Sequence, residues 1–139
     1  MRSPAWDGGI GTGIPAMDAE HRLQASLVNA LEASLRRGEG GASEQFLRQL
    51  LDFTSAHFQG EEQSMRLRAY PRREAHGMEH ARLLEHLRLV ERSIRDGDPA
   101  RAAEAISSLR AWLVAHVRSM DQSFALWCAE RAMSPAFHV

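Results

Sequence analysis

The sequence predicts an all-α protein: an antiparallel up-down four-helix bundle with an extended N-terminal arm. Three observations carry that reading. Apolar residues recur at helical spacing in four separate stretches. The connectors between those stretches are short and rich in glycine, proline and aspartate, which makes successive helices antiparallel neighbours. No stretch of useful length alternates polar and apolar residues with period two, so no sheet is expected.

The 139 residues suffice for one domain around one core, here an arm over 1–17 and a bundle over about 18–132. Pro4, Trp6, Pro15 and the glycines at 8, 9, 11 and 13 keep the arm out of a helix, and Trp6 is expected to pin it to the bundle. Asp18 can cap the first helix, in which Leu23, Leu27, Leu31 and Leu35 repeat every fourth residue with Val28 beside them. That helix ends at Gly38-Glu39-Gly40-Gly41. Ser43 is a suitable cap for the second, which carries Phe46, Leu47, Leu50, Leu51, Phe53, His57, Phe58, Glu61 and Met65. Tyr70-Pro71 closes it, because a residue before proline is pushed out of helical geometry. The third helix runs from about Arg72 to Arg95, with Leu83, Leu84, Leu87, Val90 and Ile94 inward, and stops at Asp96-Gly97. Asp98-Pro99 starts the fourth, with aspartate at the cap and proline at the first helical position. Ala102, Ile106, Leu109, Leu113, His116, Val117, Phe124 and Trp127 carry it to about Ala132.

Composition excludes several classes. Hydrophobic residues at 44% and charged residues at 25% have the balance of a soluble globular domain. A formal charge of -1 gives no electrostatic reason to expect nucleic acid or an anionic membrane as partner. No apolar run approaches a transmembrane length, and the first residues lack the apolar stretch of a secretory signal. The single cysteine, Cys128, cannot form an internal disulfide and fits a reducing compartment, most simply the cytoplasm. A monomer is expected.

The chemistry lies in the histidines. His57 and Glu61 are four apart on the second helix, as are His76 and His80 on the third; His21 stands near the start of the first, and His116 and Asp121 stand on the fourth. Residues four apart point the same way. At 1.5 Å of rise per residue, an up-down bundle brings all seven to one slab near the same end. Buried carboxylates and imidazoles need partners, and seven donors exceed what one zinc ion takes. They suit two five- or six-coordinate ions with bridging carboxylates, iron among the metals that accept this donor set. One spacing resists: five residues place His116 and Asp121 about 140° apart on an ideal helix. Asp121 either reaches the site from another side or is re-aimed by a π-type turn.

The pattern resembles the hemerythrins, in particular the single-domain bacterial type. The matching residues are Trp6-Asp7 with Gly13-Ile14, Met17-Asp18-Ala19-Glu20-His21-Arg22, and His57-Phe58-Gln59-Gly60-Glu61-Glu62-Gln63-Ser64-Met65. They continue with Tyr70-Pro71, His76, His80, Trp112-Leu113-Val114-Ala115-His116 and Asp121, so the resemblance runs from Trp6 to Trp127. It implies a non-haem diiron site with His76, His80 and His116 on one iron, His21 and His57 on the other, and Glu61, Asp121 and an oxo or hydroxo group bridging. The second iron would keep an open position where dioxygen binds reversibly as hydroperoxide. Phe58, Trp112, Leu113 and Val117 would wall that pocket and exclude water. Five imidazoles with only two carboxylates should discourage O–O cleavage.

Two positions depart from the family. Glu20 stands where glutamine is usual. Gln24 stands where the family has an apolar residue facing the oxygen pocket; it can donate to a bound ligand, admit water, or be turned away by a shift of register, since Leu23 precedes it. Glu20 and Glu62 read as supporting or surface groups. His86 and His138 read as exposed, and Arg66, Arg68, Arg72 and Arg73 as a solvated basic corner. Met65, Met78, Met120 and Cys128 read as packing. The resemblance implies a dioxygen-binding protein for storage, transport or supply, and not an enzyme. Competing readings are an oxygen or redox sensor, which usually sits in a longer chain, and an enzyme acting on peroxide or nitric oxide. His76-Gly77-Met78-Glu79-His80 also matches an inverted zinc-protease motif, which leaves the other five donors unexplained.

Overall fold

The computed structural model describes residues 11–131. Most of the arm, with Pro4, Trp6, Gly8 and Gly9, and the tail with His138 lie outside the described residues. The helices are α1 (Pro15–Arg36), α2 (Gly40–Leu67), α3 (Arg73–Arg95), α4 (Pro99–His116) and α5 (Gln122–Glu130), with a π turn, Val117–Asp121, joining the last two into one rod. Each of the four rods packs against two others, α1 on α2 and α4 and α3 on α2 and α4. This is the up-down four-helix bundle, and among the described residues there is no strand. None of the described helices is long and apolar enough to cross a membrane.

The ends of the helices follow from a few residues. α1 and α3 close with the same device: Gly38 and Gly97 take φ of 70° and 75°, and the chain then bonds back, Glu39 N to Ser34 O at 3.0 Å and Asp98 N to Ser93 O at 2.9 Å. α2 ends the same way, but Ala69 occupies the left-handed position at φ 53°. Asp98 caps α4 through Arg101 N, as expected.

Two helix starts differ from the sequence reading. α1 begins at Pro15, three residues before Asp18, because proline presets the first helical φ. Asp18 therefore lies inside the first turn, where its Oδ1 accepts from Thr12 N and Thr12 Oγ1 at 2.9 and 2.8 Å and ties residues 12–14 to the helix. α2 begins at Gly40, so Ser43 is not its cap; its Oγ is 2.8 Å from Ser34 Oγ in the buried α1–α2 seam. The leucine stripe of α1 also needs correction. Leu23 is 49% exposed, because a strict four-residue repeat drifts around a helix of 3.6 residues per turn. The inward face is His21, Gln24, Ala25, Val28 and Leu31.

Two apolar clusters bracket a polar layer. The larger holds Val28, Leu31, Leu50, Leu83, Leu87, Ile106, Leu109 and Leu113. Each such fully buried side chain contributes about 1.5–3 kcal/mol. The smaller, Met17, Met65, Tyr70, Phe124 and Cys128, closes the other end. In chain order the candidate donors fall between the two: His21 after Met17, Glu61 before Met65, His76 after Tyr70 in the α2–α3 connector, Asp121 before Phe124. The site is thus a polar slab sealed above and below by hydrocarbon.

Candidate metal centre

All seven sequence-predicted donors are at most 4% exposed and converge in that slab. The four-residue spacing of His57 with Glu61 and of His76 with His80 stacks each pair on one face. The π turn answers the spacing of five in the fourth rod. Widening the helix by one residue per turn brings Asp121 back to the face of His116, the re-aiming that a regular helix could not provide. His116 Nε2 lies 3.1 Å from Asp121 Oδ1.

The donors sort into two groups sharing the Glu61 carboxylate. One is Glu61, His76, His80, His116 and Asp121; the other is His21, His57 and Glu61. Each carboxylate divides its oxygens between them. Glu61 Oε1 faces His80 Nε2 at 3.2 Å and His76 Nε2 at 3.5 Å, while Oε2 faces His57 Nε2 at 3.1 Å. Asp121 Oδ1 faces His76 Nε2 at 2.9 Å, while Oδ2 faces His21 Nε2 at 3.0 Å.

These separations are too directional to be ordinary ion pairs. The Nε2 atoms of His21 and His76, both Glu61 oxygens and Asp121 Oδ1 are buried without a hydrogen-bond partner, although an opposite group stands close to each. Each such atom would cost about 1–3 kcal/mol if left so. The Nε2 atoms of His80 and His116 face each other at 3.2 Å. Atoms arranged in this way aim at common points rather than at one another. Two donors at right angles and about 2.1 Å from one ion stand about 3 Å apart, which is the spacing found. The donor set fits a pair of cations, and imidazole with carboxylate fits iron.

Charge balance agrees. Burial disfavours the charged rings, but the Asp121 and Glu61 carboxylates outweigh it and hold His21 and His76 up at about 9. Burial likewise opposes charge on His57, and Glu61 and Glu20 raise it to about 10. Burial and the Glu61 charge push Asp121 upward, yet His116 and His21 bring it well below the carboxylate range. Burial also works against an ionised Glu61, and His57 and His21 outweigh it. The slab is built to hold positive charge against two carboxylates.

Around the donors, Glu20 and Glu62 support imidazoles. Glu20 Oε1 bonds His57 Nδ1, and Glu62 Oε2 accepts from His80 Nδ1 at 2.8 Å. Phe58 stacks on His80 with ring centres 3.8 Å apart. Leu113 and Val117 are buried in the same core. Gln24 is buried, not turned away: its Nε2 donates to Thr54 Oγ1 at 3.1 Å. Trp112 is not brought to the His21–His57 side. It is half-buried on the α3 edge of α4, its indole N–H donates to Glu79, and it borders a surface groove with His86.

Three expectations about residues outside the donor set change. His86 is half-buried, with Nε2 2.9 Å from Ala105 O, because the groove between α3 and α4 takes it in. Met78 is 61% exposed, since the inward face of α3 belongs to His76 and His80. Arg68 is half-buried, while Arg66, Arg72 and Arg73 are exposed. Thr54 is the residue that sequence reasoning missed. The one signal available was a polar side chain three residues before His57, on the same helical face.

Comparison with known proteins comes down on one family. The family model described as "Hemerythrin HHE cation binding domain" matches residues 12–128. A bacteriohemerythrin of Stenotrophomonas maltophilia (strain R551-3) is 26% identical over 120 residues, 86% of this chain and 78% of that protein. One of Methylococcus capsulatus (strain ATCC 33009 / NCIMB 11132 / Bath) is 25% identical over 115 residues, 83% of this chain and 88% of that protein. Among solved structures, a hemerythrin carrying a leucine-to-tyrosine substitution superposes with a TM-score of 0.76 at 24% identity, covering 84% of this chain and 88% of that one, a likeness of fold.

Proposed function

The chain belongs to the hemerythrin family, and we propose that it holds two iron ions in the buried slab and binds dioxygen reversibly there, for storage, transport or supply. The observation that carries the reading is the division of Glu61 and Asp121, each with one oxygen toward either donor group. In this reading His76, His80 and His116 would hold one iron and His21 and His57 the other, with Glu61 and Asp121 shared between the two groups. Two irons held there would supply the electrons for reversible dioxygen binding. The chain's part is to position and protect. Five imidazoles and two carboxylates fix the ions, Glu20 and Glu62 orient two of the rings, and Phe58, Leu113 and Val117 keep the surroundings apolar. The His21–His57 group has fewer protein donors, so an iron held there would keep room for dioxygen.

The zinc-protease reading of His76 to His80 leaves the other five converging donors unexplained. Glu79 is taken by the Trp112 indole and does not belong to either donor group.

The test is iron analysis and a visible spectrum of the purified protein, reduced, exposed to air, then returned to an oxygen-free atmosphere. Two irons per chain and an oxygen-dependent absorption that disappears on removal of oxygen are expected. Irreversible conversion to an oxidised form would overturn the carrier role in favour of sensing or enzymatic use.

A further inference from the structure

The two donor groups are unequal, and the poorer one is flanked by a polar pair that holds no ligand position. Glu20, His21 and Gln24 lie on one face of α1, and Thr54 and His57 on the facing side of α2. The antiparallel contact is layered. Glu20 meets His57, His21 meets His57 ring to ring at 5.3 Å, and one turn deeper Gln24 meets Thr54. Helical side chains lean toward the N-terminus of their own helix, so Gln24 leans back toward the level of His21.

Gln24 is 2% exposed and Thr54 4%. A primary amide offers two protons. Thr54 takes one, at 3.1 Å. A glutamine buried beside apolar packing is costly unless its remaining donor finds a partner. The donor group one turn away along both helices is the one with the fewer protein donors, and a ligand held there would bring an acceptor toward that layer.

We propose that Gln24, held in place by Thr54, donates its second amide proton to the small ligand bound at the His21–His57 centre, and so favours ligands whose outer atom accepts a hydrogen bond. This rests on the diiron reading. The chemical class is a small anion or reduced oxygen species with a lone pair at its far end. An apolar residue at the same position would leave that end without a partner.

The probe is azide, added to the oxidised, iron-loaded protein and followed by its visible charge-transfer absorption, with Gln24→Leu, Gln24→Met and Thr54→Val as variants. Hydrogen bonds to charged groups imply a loss of azide affinity of about tenfold or more in both Gln24 variants. Thr54→Val, which only frees the amide, should lose roughly threefold. A second readout does not depend on affinity. The infrared stretch of bound azide should move between H2O and D2O in the parent and stay fixed in Gln24→Leu. Two irons per chain with equal azide affinity and equal isotope response in parent and Gln24 variants would overturn the inference and leave the diiron reading intact. Fewer than two irons in the parent would overturn both. Gln24→Met keeps the length of the side chain, so a loss in that variant with unchanged iron content and thermal midpoint is a loss of the donor and not of packing.

Discussion

The α3–α4 side of the polar slab and its α1–α2 side are made of the same residue types and are not equivalent. On the first, His76, His80 and His116 stand with Glu61 and Asp121 around one point. On the second, only His21 and His57 join the carboxylates. The cause is the contribution of each rod. α2, α3 and the α4–α5 rod each place two donors in the slab, whereas α1 places one, and its next inward residue is Gln24. One side gathers three imidazoles and the other two, and on the proposed reading the poorer side leaves room for a guest. Their supports differ in the same sense: Glu62, behind His80, is 31% exposed on its side chain, whereas Glu20, behind His57, is 6% exposed.

The largest effects should come from breaking that asymmetry outright. Glu61 is the residue common to both groups, so Glu61→Ala should bring iron from two per chain to nearly none, measured by elemental analysis after reconstitution. His21→Ala should remove only the poorer site and leave one iron on His76, His80 and His116. If His21→Ala emptied both positions, the two sides would be one cooperative unit and the distinction between them would fail. Circular dichroism on each variant separates lost metal from lost helix.

Much of this site was legible in the sequence because two of its features are periodic. The pairs His57 with Glu61 and His76 with His80 announce themselves by their four-residue spacing, and the rise per residue sets all seven donors at one depth. Asp121 was legible as a donor but not in its aim, since the π turn that re-aims it, Val117–Asp121, rests on backbone bonding that no side-chain pattern records. Gln24 was ambiguous for a different reason: Leu23 and Gln24 compete for the inward face, and only the drift of a 3.6-residue helix against a four-residue repeat decides it. Helix starts were the weakest part. Ser43 has the chemistry of a cap, yet its hydroxyl pairs with Ser34 because the two helices meet there, a tertiary contact with no local signature. Trp112 fell on the α3 edge for a similar reason, drawn by Glu79.

The supports sharpen the comparison at a smaller scale. A carboxylate behind a metal-bound imidazole fixes its tautomer and raises its basicity, and removing one typically costs 10–100-fold in metal affinity. Glu20→Ala should fall toward the upper part of that range, because its carboxylate is buried and water cannot take its place at His57. Glu62→Ala should fall toward the lower part, because water reaches its partly exposed carboxylate and can replace it at His80. Competition with a chelator measures both. Equal losses would show that burial does not set the strength of these supports.

The smallest effect concerns protein stripped of its metal, where the same groups hold protons instead. His21 and His76 sit at about 9 and His57 at about 10 in the folded chain, against 6.5 for a free imidazole. A raised folded value means that the folded state binds the proton more tightly, so its contribution to stability is complete below about pH 6.5 and is lost as pH climbs through 9 to 10. Glu61 and Asp121 are depressed, so their contribution is present above their ordinary values of 4.5 and 3.8 and fades only as acid protonates the folded carboxylates. Metal-free protein should therefore have its highest thermal midpoint between about pH 4.5 and 6.5 and lose several degrees by pH 10. Iron-loaded protein has no such dependence from these rings on the alkaline side, because metal occupies Nε2 in place of the proton and is favoured as pH rises. Parallel alkaline slopes for the two forms would mean that protons and metal do not compete for the same nitrogens, and the convergence of those rings on shared ions would no longer account for their burial.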